Sequence, residues 1–392
     1  MRVVRVIFRG LIYVFAAIGF SFVSMFFAIR FHITDVSGKV DARSSEFEKI
    51  NDASSQVLGV SETQQPTGES FADKSIDGEV ARLTNIQKTQ QTNMCSLLVL
   101  QKSAPKDVAA IARIQENPNT LIVVSKMIFA LKTALSNPPS LQGDVDTCVQ
   151  NKQYADIKSD TFAIASDDTS VQSAFAWSRD AEWQSIAQAV VKDQDAITRA
   201  SQAADIEPRL LVSSLIVEQI RLFHSQRELF KKFFEPLKIL GNSTVISLGV
   251  MGIKPPTAEA VEQHLKDKTS PYYLGEKYEH MLDYPDGVDL DKERFARLTD
   301  ADTQYWSYLY GALYLKQMMT QWNNAGYDIS YRPEIVGTLF NIGFPKSRPN
   351  DHPQVGGSTI KVSDTAEYSF GRLAYEFYYS GELLDTFSYT VK

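Results

Sequence analysis

At 392 residues, with 44% hydrophobic and 22% charged side chains, the chain can bury a core in two or three domains, which excludes disorder as its general state. A net charge of −7 and the lack of any basic stripe exclude a nucleic-acid binder. Five scattered histidines and two cysteines, with no His-x-x-x-His or Cys-x-x-Cys pair, exclude a zinc site, and no phosphate-loop, dinucleotide or Gly-x-Ser-x-Gly fingerprint calls for a cofactor.

The first element is an apolar span. Arg2, Arg5 and Arg9 precede residues 10–29, which carry no charge, and Arg30 closes the stretch. Twenty such residues make a helix of about 30 Å, the thickness of the hydrocarbon core of a bilayer. The pattern predicts a single transmembrane anchor over 10–30 behind a cytoplasmic tail over 1–9, because positive residues stay on the cytoplasmic side. A cleaved signal peptide is the competing reading. It needs a shorter apolar region and a small-x-small site, and Phe26-Phe27-Ala28-Ile29-Arg30 offers none.

Residues 31–92 are rich in Ser, Gln, Thr, Asp and Lys and read as a mostly extended tether, with a short helix beginning near Glu79. Residues 93–150 predict a small helical hairpin region. Ser103 and Pro105 mark a helix start, Asn117-Pro118-Asn119 a turn, 120–135 a largely apolar helix interrupted by Lys126 and Lys132, and Pro138-Pro139 its end. Cys95 and Cys148 flank this region. In an oxidising compartment they are candidates for one disulfide closing a loop of about fifty residues, worth about 3–4 kcal/mol; the other reading is two unrelated buried thiols. Residues 151–176 are polar again and read as a second linker.

From 177 to 392 the pattern predicts a mainly α domain. Trp183, Ile186, Val190 and Ile197 stand at helical spacing within 180–203, and Pro208 opens a nearly all-apolar helix over 209–223. Further helices are expected at 257–266, 302–323, 333–340 and 370–379, with one β run at 358–362. Leu211, Leu215, Glu218 and Leu222 are spaced 4, 3 and 4 apart and share a helix face. A carboxyl carried into a core is desolvated, which favours the neutral form that a general acid needs. The plain alternative is a helix-end glutamate paired with Arg221, three residues on.

The stretch 197–218, with its Asp205-Ile206-Glu207-Pro208 step, resembles the opening of lysozyme-like lytic transglycosylase domains, where two helices deliver a catalytic glutamate. Ser247-Leu248-Gly249-Val250-Met251-Gly252-Ile253 is similar to that family's Ser-x-Gly-x-x-Gly-apolar loop, and Pro255-Pro256-Thr257-Ala258 to its Pro-x-Thr-Ala helix start. Gly311-Ala312-Leu313-Tyr314-Leu315 looks like its Gly-x-x-Tyr-Leu helix, and Leu339-Phe340-Asn341-Ile342-Gly343 stands in place of its Ala-Tyr-Asn-x-Gly motif. These elements come in the family's order and cover the C-terminal half alone. The resemblance implies a lysozyme-like domain in a bacterial envelope, held at the inner membrane with its bulk outside the cytoplasm, acting on peptidoglycan glycan strands without metal or cofactor. Glu218 would protonate the oxygen of the β-1,4 bond between N-acetylmuramic acid and N-acetylglucosamine. As carboxylate it would then take the muramoyl C6 hydroxyl proton, closing a 1,6-anhydro ring without the second carboxylate most glycosidases use. Hydrolysis, as in goose-type lysozyme, is the other outcome.

The same resemblance makes Ser247, Gly249, Met251 and Asn341 candidates for contacting the sugar or orienting Glu218; loop capping is the plain reading. Tyr305, Trp306, Tyr308, Tyr310 and Tyr314 have faces suited to pyranose rings, with Tyr310 taken as the binding candidate, although helical spacing also fits core packing. The departures are specific. Gln219 follows the glutamate where a serine is usual, and 29 positions separate Glu218 from Ser247, including a basic and aromatic stretch over 227–234 that reads as an inserted lid or helix. The family's glutamine has no counterpart, with Lys254 near its place, and Phe340 replaces a tyrosine. They favour a rival: a catalytically inactive lysozyme-like envelope protein that binds glycan or scaffolds a complex. A third reading makes the 93–150 region a partner-docking module. The acidic turn over 283–291 does not match EF-hand spacing and reads as solvated.

Overall fold

The computed structural model describes Tyr13, Phe20 and residues 39–58, 76–135, 139–162, 173–180, 183–224, 249–300, 302–363 and 366–390. Apart from Tyr13 and Phe20, the anchor expected over 10–30 lies outside the described residues, as do Ser247 and the lid expected over 227–234. No helix among the described residues is long and apolar enough to cross a membrane. The chain divides into Met1–Ser37 and Gly38–Lys392, and the architecture that follows belongs to the second unit. Its described residues are mainly α-helical, with thirteen α-helices and four short strands.

The stretch expected to be a tether is in large part ordered structure. Strand β1 (Lys39–Val40) and β2 (Gly356–Gly357) pair antiparallel, Lys39 opposite Gly357 and Val40 opposite Gly356. Helix α1 (Ser44–Leu58) follows and turns Phe47 and Ile50 inward, with the Phe47 ring edge-on to Tyr375 at 4.9 Å. Glu48 accepts from Arg332 at 2.9 Å. Helix α2 (Ile76–Leu100) starts well before the expected region. Reading 31–92 as extended rested on its scarcity of large apolar residues. Besides Phe47, Ile50, the Glu48–Arg332 pair and the two β1–β2 pairs, the stretch is docked by polar contacts: the Asp41 N–H donates to the Val355 carbonyl at 2.7 Å, Ser44 Oγ accepts from the Val355 N–H at 2.9 Å, and buried Asn51 accepts from Lys126.

Helices α3 (Pro105–Gln115), α4 (Leu121–Ala134) and α5 (Pro139–Gln150) complete the expected helical region. Prolines open α3 and α5, where a missing N–H costs nothing. Cys95 on α2 and Cys148 on α5 form a disulfide, in a small buried cluster with Val145. Lys126, the charge that interrupts the apolar run of α4, is 4% exposed and ties three segments together. Its ammonium donates to Asn51 Oδ1 at 3.3 Å and to the Tyr331 carbonyl at 3.0 Å.

The C-terminal half surrounds one buried helix, α8 (Pro208–His224), whose Leu210, Leu211, Val212, Leu215, Ile216, Val217 and Ile220 are almost fully buried. Around it pack α6 (Trp183–Lys192), α7 (Gln194–Ala204), α11 (Tyr305–Asn324), α12 (Pro333–Ile342) and α13 (Phe370–Tyr378). The single run expected over 180–203 is two helices. They break at Asp193, whose carboxylate accepts from the Tyr308 hydroxyl at 2.7 Å. Helices α9 (Pro255–Lys266) and α10 (Leu290–Leu298) flank α11. Strands β3 (Thr359–Ser363) and β4 (Ala366–Ser369) form the expected β run as a hairpin leading into α13.

Candidate functional site

Pro208 fixes the start of α8, and the apolar run behind it drives the helix through the core. Leu211, Leu215, Glu218 and Leu222 do share a buried face, and Glu218 is 2% exposed. A carboxyl there needs partners. It finds one in Arg221, one turn on: Arg221 Nε donates to Glu218 Oε2 at 2.8 Å, and Nη2 donates to Oε1. Both carboxyl oxygens are therefore engaged by one planar guanidinium, the bidentate geometry that arginine favours.

The loop after residue 248 closes over this pair. Gly252 has φ +62°, and a Cβ there would stand 2.0 Å from Glu218 Oε1, so only glycine lets the backbone approach. The Gln219 amide donates to the Val250 carbonyl, which makes the residue standing where serine was expected a loop fastener. Met251 is fully buried, its side chain filling the space beside Gly311 on α11, while its N–H donates to Ser307 Oγ at 3.3 Å. Gly249, at φ +65°, lies against the Leu298 carbonyl and Ser307, again leaving no room for a side chain. The structure thus brings together Glu218, Gly249, Met251 and the start of α11, which are far apart in sequence.

The other predicted positions do not join this group. Tyr310 has no exposed surface; its hydroxyl donates to Glu262 Oε1 at 2.5 Å and meets the Tyr284 hydroxyl at 2.7 Å. Arg294 forks onto the same carboxylate at 2.9 and 2.7 Å. Burial pushes Glu262 up, but the bonds from Arg294, Tyr284 and Tyr310 outweigh it and hold the carboxyl below its ordinary range. Tyr310 is core, not groove lining. Tyr308 and Tyr314 are likewise buried, and Trp306 stacks under Arg297 at 4.2 Å. Asn341 Oδ1 accepts from the Ser358 N–H and hydroxyl at 2.8 and 2.9 Å, which caps the turn before β3 and leaves no open acceptor facing a sugar. Phe340 packs against Tyr314 and Phe370.

Two features escaped the sequence. Arg209, fully buried, donates to the carbonyls of Phe377, Tyr378, Ser380, Glu382 and Phe387 and so clamps the end of α13. A cavity of about 300 Å³ lies between α1, α4, the 173–180 stretch and α13, and none of the predicted site residues lines it. Arg372 and Glu376 in its wall are spaced four apart and pair at 2.9 Å. Among the described residues no group of three or more His, Cys, Asp or Glu side chains is placed to hold a metal ion. Comparison with family models, with curated proteins and with solved structures finds no match to this chain.

Proposed function

We propose that this is a membrane-anchored bacterial envelope protein whose C-terminal half is a lysozyme-like domain that holds peptidoglycan glycan strands without cutting them. The observation that carries this reading is the fork between Glu218 and Arg221. A general acid must present a proton to the leaving oxygen from a carboxyl oxygen that faces the substrate. Here both oxygens face a guanidinium, Gly252 covers one of them, and 2% of the residue is exposed. In this reading Glu218 fixes the 249–253 loop against α8, and Gln219 and Phe340 belong to the same loss of catalytic contacts. The lysozyme-like assignment draws support from the convergence of Glu218, the 249–253 loop and α11, three segments that carry the sequence resemblance. Location outside the cytoplasm draws support from the Cys95–Cys148 disulfide, which persists in oxidising compartments.

A second reading, a lytic transglycosylase with Glu218 as its one acid and base, is favoured by that same convergence. Cosedimentation of the purified full-length chain with insoluble peptidoglycan, followed by muropeptide analysis, separates the two. The expected result is binding with no release of 1,6-anhydro products, unchanged in Glu218→Gln. Anhydro products that appear with the native chain and vanish in Glu218→Gln would establish the enzyme instead. Failure to cosediment together with no anhydro products would remove both.

A further inference from the structure

The cavity beside α13 gathers positive charge. Arg43 just ahead of α1, Arg179 from the 173–180 stretch and Arg372 on α13 all line it, three guanidiniums from segments far apart in sequence. The charges of Arg43 and Arg372 both act on Glu376 and on Tyr368, so these two cations stand close together. Two carboxyls share the wall, and they do not cancel the group. Glu46 comes only within 3.7 Å of Arg43, and its side chain is half exposed to solvent. Glu376 accepts from Arg372 Nε at 2.9 Å and from the Ala176 N–H. Burial pushes its carboxyl up to about 7, so near neutrality it carries only part of a charge.

Donors are left over on the same wall. Arg372 lies over the Tyr368 ring at 3.7 Å, with 16% of its side chain exposed, and only its Nε is bonded. Its two Nη atoms meet no acceptor among the described residues, and they are not sealed in the packing but remain open to water. The Arg179 side chain has no hydrogen bond or ion pair among the described residues. Arginine gives paired N–H donors to carboxylate and phosphate oxygens alike, so free guanidinium edges beside one cavity suit an oxyanion. The wall also offers apolar surface from Phe47, Ile50, Phe129 and the Tyr368 ring. A volume of about 300 Å³ is at the small end of ligand pockets and exceeds what a bare phosphate or carboxylate fills. We propose that this cavity binds a small organic oxyanion, a phosphate or carboxylate group carried on a compact apolar body. The charged group lies among Arg43, Arg179 and Arg372, and the body packs against Phe47 and Phe129. The proposal is independent of Glu218 and of any glycan binding.

Titration calorimetry of the full-length chain tests it, with phenyl phosphate and benzoate as probes and inorganic phosphate and uncharged benzamide as controls. At least one of the two ring oxyanions should saturate, and the tighter of them tells phosphate from carboxylate. Inorganic phosphate and benzamide should each be weaker by about tenfold or more, since one lacks the body and the other the charge. Arg43→Gln and Arg179→Gln, both at solvent-accessible positions, should each weaken the bound probe about tenfold while the melting profile stays cooperative. Arg113→Gln, which removes a surface arginine outside the cavity, should leave the affinity unchanged. The assignment is wrong if neither ring oxyanion saturates, if benzamide or inorganic phosphate binds as tightly as the better of them, or if Arg43→Gln and Arg179→Gln both bind as the native chain does. A loss in Arg113→Gln equal to theirs would show attraction to overall charge and overturn it as well.

Discussion

Removing Glu218 and removing Arg221 break the same two hydrogen bonds, yet the consequences should differ. The Glu218 side chain is 3% exposed and that of Arg221 is 18% exposed. Arg221→Gln strands a buried carboxylate, a loss of about 3–5 kcal/mol for a broken buried pair. Glu218→Gln leaves the more exposed partner behind and keeps one amide oxygen as acceptor, for about 1–3 kcal/mol. Urea midpoints at constant slope should therefore fall further for Arg221→Gln. Equal falls would mean that the pair is not a structural fixture of the loop. Arg209 makes the stronger case for charge used as architecture. Arg209→Lys keeps the charge but cannot reach five carbonyls, and lysine lacks the planar fork. Several buried carbonyls at the end of α13 then lose their donors, and a loss of about 3 kcal/mol or more is expected in the same urea measurement.

At the scale of elements, the disulfide divides the molecule's dependence on its compartment. Cys95 and Cys148 are 53 residues apart, and closing a loop of that length stabilises by about 4 kcal/mol in the chain-entropy account. Hydrogen exchange with and without reductant should show α2 and α5 losing protection first, while α8 and α13 keep theirs. Uniform loss would show that the whole unit unfolds together. The helices most legible in sequence were those with a proline at the first turn and an apolar stripe behind it, as at Pro105, Pro208 and Pro333. The buried face of Glu218 was legible for the same reason, as was its pairing with Arg221 as one of two readings. What sequence could not resolve was partnership between distant segments. Helix α1 has two buried apolar side chains, Phe47 and Ile50, and its docking depends on β2 and Arg332, nearly three hundred residues on. Lys126, Tyr310 and Asn341 have the composition of surface or ligand contacts, and only packing reveals that each is consumed by a neighbour.

For the molecule as a whole, two carboxyls held in the packing between the N-terminal helices and the C-terminal half set a pH dependence. Asp107 on α3 accepts from the Ala174 N–H at 2.7 Å, and burial pushes it up to about 6, with Glu382 adding to the rise and Lys106 opposing it. Burial likewise pushes Glu376 up to about 7, against the opposing pull of Arg372. Unfolded, the two would titrate near 3.8 and 4.5. Between those values and 6 to 7 the folded chain holds more protons than the unfolded one, so stability is greatest at the acid side of this window and falls as pH rises through it. Shifts of about two units correspond to something on the order of 3 kcal/mol apiece. His264 acts in the opposite sense. Burial holds it below its ordinary value, so it contributes stability as pH rises past 6.5 and withdraws it on acidification. The difference between the native chain and Asp107→Asn/Glu376→Gln cancels His264, because both proteins carry it. Amides mimic the neutral acids, so urea unfolding of residues 38–392 should give similar stabilities only at about pH 3.5, below both unfolded values, with the native chain already lower by pH 5. By pH 8 the native chain should fall several kcal/mol below the variant, since only it must ionise two buried acids. A gap that stays constant from pH 5 to 8 would mean that neither acid is desolvated by the contact between the two halves.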